Sequence, residues 1–417
     1  MKTIALIPFF LLCFFPHSRG QINTTVDSTL LKTDTLPAQP LKPATPDSSV
    51  SIVNWNSHWP EYPAFQMKEF PDTVIPGSFN LRLRSTSFFK NNEFKNNFIY
   101  GQSLVGINFE PVVEFHPDKR TTIRAGSHFL KYWGRDSFDR ILPIISVRFD
   151  ASEHFSLVFG TLYGTAQHGL VEPLQNFENY LLHNYENGIQ LLIHYPNLHS
   201  DIWLNWEQFI KVGDPFPEIF TAAANNDFLL FQYKRMTLTA PFSAVFRHTG
   251  GEIDTYWVPG GTKLNLLHGL RLHFDFGKGF FRNAYGVQNF LEFVEVNPGQ
   301  HITIPYGHAS YTRAGITTRL GGLEAGYWQG EDFQAPLGMP LFLSTSVKDP
   351  TYYQTSRRML TFKYQYQFNL TDYLRFALRF EPYYYFDTGR TDHSWSVYLV
   401  LDEDFFVGRL RKPASGT

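Results

Sequence analysis

The sequence predicts an all-β protein: a transmembrane antiparallel up-and-down β-barrel of about sixteen strands, behind a disordered N-terminal leader. Three observations carry this reading. Long segments alternate apolar and polar residues with period two. The connections between them are short and long by turns. Aromatic residues make up 17% of the 417 residues and charged residues only 18%, against a usual quarter for charge. A formal net charge of −2 excludes an ordinary nucleic-acid binder. The one cysteine, Cys13, excludes a disulfide scaffold and a cysteine-based metal site.

The elements follow in order. Residues 1–20 read as a signal peptide, with Lys2 before an apolar run and Ser18 and Gly20 at the cleavage positions. Leu12 before Cys13 argues against a lipoprotein site. Residues 21–50 are a Thr/Ser/Pro-rich periplasmic leader that cannot bury enough apolar surface to fold. Residues 51–76 carry Trp55, Trp59, Tyr62, Phe65 and Phe70 and are a lead-in segment that would suit a plug. The barrel occupies 77–406, and 407–417 form a C-terminal tail.

Strands are read at 78–89, 103–117, 121–132, 141–149, 154–163, 188–195, 200–211, 227–233, 236–248, 262–276, 280–296, 305–320, 323–330, 357–368, 373–387 and 392–406. Segments 227–233 and 323–330 are weakly patterned, so roughly fourteen to eighteen strands fit. Residues 373–387 show the pattern well, with Leu374, Phe376, Leu378 and Phe380 on one face and Arg375, Ala377, Arg379 and Glu381 on the other. Tight turns follow the even-numbered strands and longer loops follow the odd-numbered ones, the asymmetry of periplasmic turns and outer loops. Tyr132, Trp133, Tyr163, Trp328, Tyr384 and Trp395 near strand ends are expected to form the interfacial aromatic girdles.

On these features the chain resembles the bacterial outer-membrane β-barrel (porin-like) proteins, most closely the uncharacterised barrel proteins of Bacteroidota. The resemblance covers about residues 77–406 and implies the outer membrane of a Gram-negative bacterium. Such barrels end on an aromatic residue read by the assembly machinery; here Phe405 and Phe406 are followed by eleven further residues.

A barrel of this size encloses more space than strand side chains fill, which predicts a water-filled channel. The inward positions read from the alternation include Arg82, Arg84, Glu110, Glu114, Arg148, Arg271, Asp275, Arg313, Arg319, Lys363, Arg375, Arg379 and Glu381. Basic residues outnumber acidic ones, which predicts a weak anion preference, unless Arg–Glu pairs merely cross-brace the wall. The third outer loop, with Glu172, Asn176 and Glu178, is placed to constrict the lumen.

One pair of residues raises catalysis. His308 and Ser310 lie two apart on one strand and so share a face. Arg313 and Arg319 point the other way, so the pair faces lipid. This looks like the His-x-Ser dyad of outer-membrane phospholipase A, although Gly322 stands where that family has a polar third member. A girdle histidine beside a strand serine is the favoured reading. No phosphate loop, metal motif or serine elbow is found.

The sequence therefore predicts a channel for passive diffusion of small hydrophilic solutes, with no enzymatic activity, metal or cofactor. Its partners would be outer-membrane lipid, small hydrophilic solutes and the barrel assembly machinery, with no nucleic acid; a homo-oligomer is left open. The alternatives are a non-conducting scaffold or receptor barrel, and an outer-membrane lipid hydrolase.

Overall fold

The computed structural model describes Phe65 and residues 74–253, 261–298 and 304–410. The expected signal peptide, the leader, nearly all of the lead-in segment and residues 411–417 of the tail lie outside the described residues.

Sixteen strands are described: Ser78–Glu93 (β1), Ser103–His116 (β2), Thr121–Tyr132 (β3), Arg140–Asp150 (β4), Phe155–Thr161 (β5), Asn187–Tyr195 (β6), Leu198–Gln208 (β7), Ile219–Tyr233 (β8), Met236–Thr249 (β9), Gly261–Asp275 (β10), Phe281–Pro298 (β11), Tyr306–Thr318 (β12), Gly321–Glu331 (β13), Ser356–Asn369 (β14), Leu374–Tyr385 (β15) and Arg390–Arg409 (β16). Each pairs antiparallel with its sequence neighbours, and β1 closes on β16 from Ser78↔Arg409 to Glu93↔His393. Closure leaves no strand edge unpaired, the condition for crossing a bilayer with strands. The strand count expected from the alternation is the one observed. No helix among the described residues is long and apolar enough to cross a membrane.

The period-two pattern becomes two surfaces. On β4, Ile141, Ile145, Val147 and Phe149 are exposed on the outer wall, while Ile144, Ser146 and Arg148 are buried inside. On β5, Leu157 and Phe159 face out and Val158 faces in. Apolar side chains toward lipid and mixed ones toward the interior are what a membrane barrel requires. The turns after even-numbered strands are short, so the longer connections after odd-numbered strands mark the outer end.

Loops of the chain itself occupy part of the interior. Parts of the loops 94–102, 162–186 and 332–355 fold back inside the ring. Phe333, Leu341 and Phe342 of the last loop are essentially fully buried and surround the inward Trp328 and Tyr311. Trp328 lies 5.0 Å from Phe342 and 5.2 Å from Phe333, both edge-on. A second cluster joins Phe177, Tyr180 and Leu181 of the middle loop to Phe88 and Tyr398 of the wall. Phe177 is the N-cap of the short helix Glu178–Leu182 (α1), and Tyr180 lies within it. Phe65 inserts here, 5.0 Å from Phe177 and 4.8 Å from Tyr398, with its carbonyl accepting from Gln167 Nε2 at 2.8 Å.

Trp328 and Tyr163 are therefore core residues, a correction to their expected girdle role. Trp328 shares the parity of the inward Glu324, and the infolded loops give it apolar partners inside. Strand β8 begins eight residues earlier than the alternation suggested. Its first half, with Ala222, Ala223, Ala224, Asn225 and Asn226, has weak strand propensity. It is held in place by its register against β7 and β9.

Candidate functional site

The expected lumen residues occupy two settings. Most carry an opposite charge within reach. Arg82 and Arg84 share Asp402 at 3.1 and 3.6 Å, and Arg148 meets Asp150 at 2.8 Å. Glu114 faces Arg124 at 3.6 Å, and Glu110 accepts from His128 Nδ1 at 2.7 Å. Arg271 pairs with Asp227 at 3.3 Å and Arg313 with Glu324 at 3.6 Å. Arg379 donates to Glu381 at 2.5 Å. Arg375 is half-buried on β15, and Asp275 is exposed at the inner end of β10.

Arg319 does not line the lumen. β12 ends at Thr318, and the two-residue turn takes Arg319 out of the alternation, where it donates to the carbonyls of Lys278 and Gly279. The three residues of the middle loop lie inside. Glu172 pairs with Lys363 at 3.6 Å and Glu178 with Lys90 at 3.3 Å. Asn176 Oδ1 accepts from the Glu178 amide at 3.0 Å.

That loop also carries a cluster which the sequence did not reveal. His168 Nδ1 lies 2.8 Å from Asp201 of β7, and Nε2 lies 2.8 Å from Glu186. The ring stacks on Trp203 with centroids 3.7 Å apart. Burial alone would lower the imidazole pKa, but the two hydrogen-bonded carboxylates outweigh it and raise the value to about 10. His168 and Glu186 lie 18 residues apart on one loop and Asp201 on β7, so no local spacing announces them. The cluster anchors the loop and is closed off from lipid.

The outer wall presents a different arrangement. On β12, Gly307, Ala309, Tyr311 and Arg313 are buried, so His308 and Ser310 face outward. His308 is directly opposite Glu292 of β11 and Glu331 of β13. Ser310 is opposite Phe290 and Gln329. His308 Nε2 lies 3.7 Å from Glu331 Oε2, with the two side chains 55% and 51% exposed. Tyr306 stacks beside His308 at 6.0 Å.

Both β12 and β13 place this group near the outer end. His308 and Ser310 lie in the first turns of β12 after an outer loop, and Glu331 closes β13 before the next one. Phe290, Tyr327 and Phe386 surround the level, as aromatic residues do at a membrane interface. Charge on the lipid face costs about 2–4 kcal/mol at the midplane but only about 0–1 kcal/mol here. Ser310, His308 and Glu331 thus share one lipid-facing surface, and a serine, an imidazole and a carboxylate are residue types that a nucleophilic hydrolase uses.

The residue after Glu331 is tightly held. Asp332 has φ of +52°, its amide donates to Thr355 O at 2.8 Å, and its carboxylate accepts from the Tyr353 hydroxyl. Gly307 lets the backbone cross here, since a Cβ on it would lie 2.1 Å from the Asp332 carbonyl oxygen. Glu331 is thus fixed by backbone on both sides of the strand end. Among the described residues, no group of three His, Cys, Asp or Glu side chains is placed to hold a metal ion.

A family model described as lipid A 3′-O-deacylase-type matches residues 71–410. No curated protein matches the sequence. Among solved structures, the chain is similar to a loop-deletion mutant of the outer-membrane protein OmpT of Vibrio cholerae, at 9% identity and a TM-score of 0.46 over 78% of this chain and 98% of that one. It is similar to OprD of Pseudomonas aeruginosa at 11% identity and 0.45, over 82% and 97%. It is similar to OccAB3 of Acinetobacter baumannii at 9% identity and 0.46, over 78% and 99%.

The family match overturns two expectations: that the barrel is a passive, weakly anion-selective channel, and that it is not an enzyme. The physical reason is visible in the wall. Counting inward charges ignores that most of the cations are paired, and that infolded loops occupy part of the space they were expected to line.

Proposed function

The chain belongs to the lipid A 3′-O-deacylase-type family, and from that premise we propose that it hydrolyses the ester holding an acyl chain on the 3′-oxygen of lipid A, with Ser310 as nucleophile, His308 as general base and Glu331 as the carboxylate that orients it. The protein is a barrel of the Gram-negative outer membrane, whose outer leaflet contains lipid A. The observation that carries the residue assignment is the outward, outer-rim position of the three side chains. A lipid substrate reaches that wall by sideways diffusion.

The chemistry follows from the residue types. Ser310 Oγ attacks the ester carbonyl carbon as His308 takes its proton. Glu331 stabilises the imidazolium that forms. The tetrahedral intermediate collapses, and His308 returns the proton to the departing sugar oxygen. Water, activated by the same imidazole, then cleaves the acyl-serine and releases a fatty acid. His308 Nε2 and Glu331 Oε2 stand 3.7 Å apart, and catalytic contacts of this kind tighten in the bound complex.

The test is mass spectrometry of lipid A in vesicles holding the refolded barrel. Wild type should produce lipid A lighter by one 3′-linked acyl chain, together with free fatty acid. Glu331→Gln should slow that release by roughly a hundredfold to ten-thousandfold, as loss of the orienting acid does in serine hydrolases. Full activity in Glu331→Gln removes Glu331 from the mechanism. An inert wild type removes the activity itself.

Gly307 supplies a second check. Gly307→Ala drives a methyl group into the Asp332 backbone. Overpacking of this kind costs about 1–3 kcal/mol. Because Asp332 adjoins Glu331, acyl release should fall together with the thermal midpoint. A variant with unchanged midpoint and rate would show that the close approach is without consequence.

A further inference from the structure

We propose that the barrel opens sideways in its outer half, between β4 and β7, and that an acyl chain of lipid A enters the interior there, past a strap formed by residues 183–186. The inference takes the lipid substrate from the family reading. It makes no use of Ser310, whose strand β12 stands seven strands round the ring from β5.

Every strand has a neighbour on each side, yet β5 and β6 do not reach the height of theirs. β4 pairs with β3 along its length, from Leu130↔Arg140 to Thr121↔Phe149. With β5 it pairs only from Ser146↔Gly160 to Asp150↔Ser156. β5 ends at Thr161, opposite Asn187, the first residue of β6. β6 leaves β7 at Gly188↔Asn205, while β7 runs on to Gln208. Residues 140–145 of β4 therefore face no strand on that side. Three strand spacings put β4 and β7 about 14 Å apart there.

The open stretch is built as an edge. Pro143 lies in its middle and has no N–H to offer a partner strand; proline in a sheet is confined to edges and irregular positions. At Gly160 φ is +103°, and a Cβ would lie 2.2 Å from the Ile145 carbonyl oxygen, so β5 makes its last close approach there. Two side chains take the place of the missing strand. The Ile145 amide donates to Thr161 Oγ1 at 3.1 Å, and the Tyr185 hydroxyl donates to the Pro143 carbonyl.

Tyr185 belongs to the strap. α1 ends at Leu182, His183 is its C-cap, and residues 183–186 lead from there to β6. The charged neighbours of His183 are Arg140 and Asp139 on one side and Glu207 of β7 on the other. The strap thus stands between the two sides of the opening.

The surroundings identify the occupant. Ile141 and Ile145, on the open stretch, are 59% and 65% exposed on the outer wall, and Phe159 and Ile189 are exposed beside its lower end. Apolar side chains continue up the stretch, so hydrocarbon lies against it. On the inner side, Leu130 is the cross-strand neighbour of Arg140, and Leu181 and Leu182 end α1 just before the strap. All three belong to or pack on one apolar cluster inside the ring. An apolar path therefore runs from the lipid face to the interior, and an acyl chain crossing it exchanges one apolar surrounding for another. The opening lies in the outer half of the wall, at the leaflet that contains lipid A, which selects lipid A as the source of the chain.

The experiment places the refolded barrel in vesicles containing lipid A with a diazirine on one acyl chain, and maps the labelled residues by mass spectrometry after irradiation. Labels are expected on the inner Leu130, Leu181 and Leu182 as well as on the outer Ile141, Ile145 and Phe159. In a chain carrying Cys13→Ser, Pro143→Cys and Tyr185→Cys, a short bis-maleimide bridging the two thiols should remove the inner labels and leave the outer ones. Tyr185→Phe, which frees the strap from Pro143, should raise inner labelling roughly twofold to tenfold, as loss of one hydrogen bond does to an opening equilibrium. Heat-modifiable gel mobility checks that each barrel is folded. Inner labels absent from the wild type, or unchanged by the bridge in a folded protein, overturn the inference. Equal inner labelling by a photoreactive phospholipid in place of lipid A overturns the choice of occupant. Labelling does not require hydrolysis, so inner labels in a barrel that releases no fatty acid support the inference and remove the activity.

Discussion

Replacing Ser310 with alanine is expected to abolish fatty-acid release from lipid A, by at least roughly a thousandfold. The size of the effect follows from the role. No neighbouring hydroxyl can substitute: Thr312 is one pleat farther along β12, with its hydroxyl given to Gln288 Oε1. The barrel should be unaffected. Ser310 is half-buried on the outer wall, and surface substitutions of this kind stay within about 0.5 kcal/mol. Loss of activity with unchanged gel mobility and thermal midpoint is therefore the expected pair of results. Retained activity would move the nucleophile elsewhere.

The second large effect concerns the interior. His168→Leu leaves Asp201 and Glu186 buried against each other without the cation between them. Removing one partner from a buried ionic group costs about 3–5 kcal/mol. The Trp203 stack is lost as well. The loop 162–186 should then leave its position and become open to protease added outside, while the sixteen-strand ring stays intact.

The same cluster sets a pH dependence in the wild type. With its pKa raised from about 6.5 to about 10, His168 is favoured in the charged form by folding. Its contribution is complete below the unfolded value and is lost as pH rises through about 10. Protease resistance of the loop should hold through pH 8 and fall near pH 10. The His168→Leu protein should show no such step. Equal resistance of both proteins at pH 7 would show that the loop does not depend on this cluster.

The barrel was legible because lipid imposes a period of two on every strand, and a run such as Leu374 to Glu381 has no other good use. The outward direction of His308 and Ser310 was legible for the same reason, from the opposite parity of Arg313. Glu331 is less legible, although the sequence carries a signal for it. The two-residue turn after β12 sets the register, and counting outward from it leads from His308 to Glu331. The spacing of the phospholipase A pattern points instead to Gly322, which pairs with Thr317 near the other end of the strands. The His168 cluster had no such signal. His168 and Glu186 meet Asp201 of β7 only because their loop folds inside the ring. The partly filled interior was equally hidden, since Phe333 and Phe342 sit on loops whose composition does not say which way they fold.

With Ser310 as the nucleophile, a reacting group on the outside of the ring would have a kinetic consequence. The enzyme and its substrate share two dimensions, so their encounter depends on how densely the lipid populates the leaflet. Diluting the vesicles in buffer should leave the rate per enzyme unchanged, whereas diluting lipid A with inert phospholipid at constant total lipid should reduce it. The freed fatty acid would pass sideways into the surrounding acyl chains, and only the attacking water would have to arrive from solution.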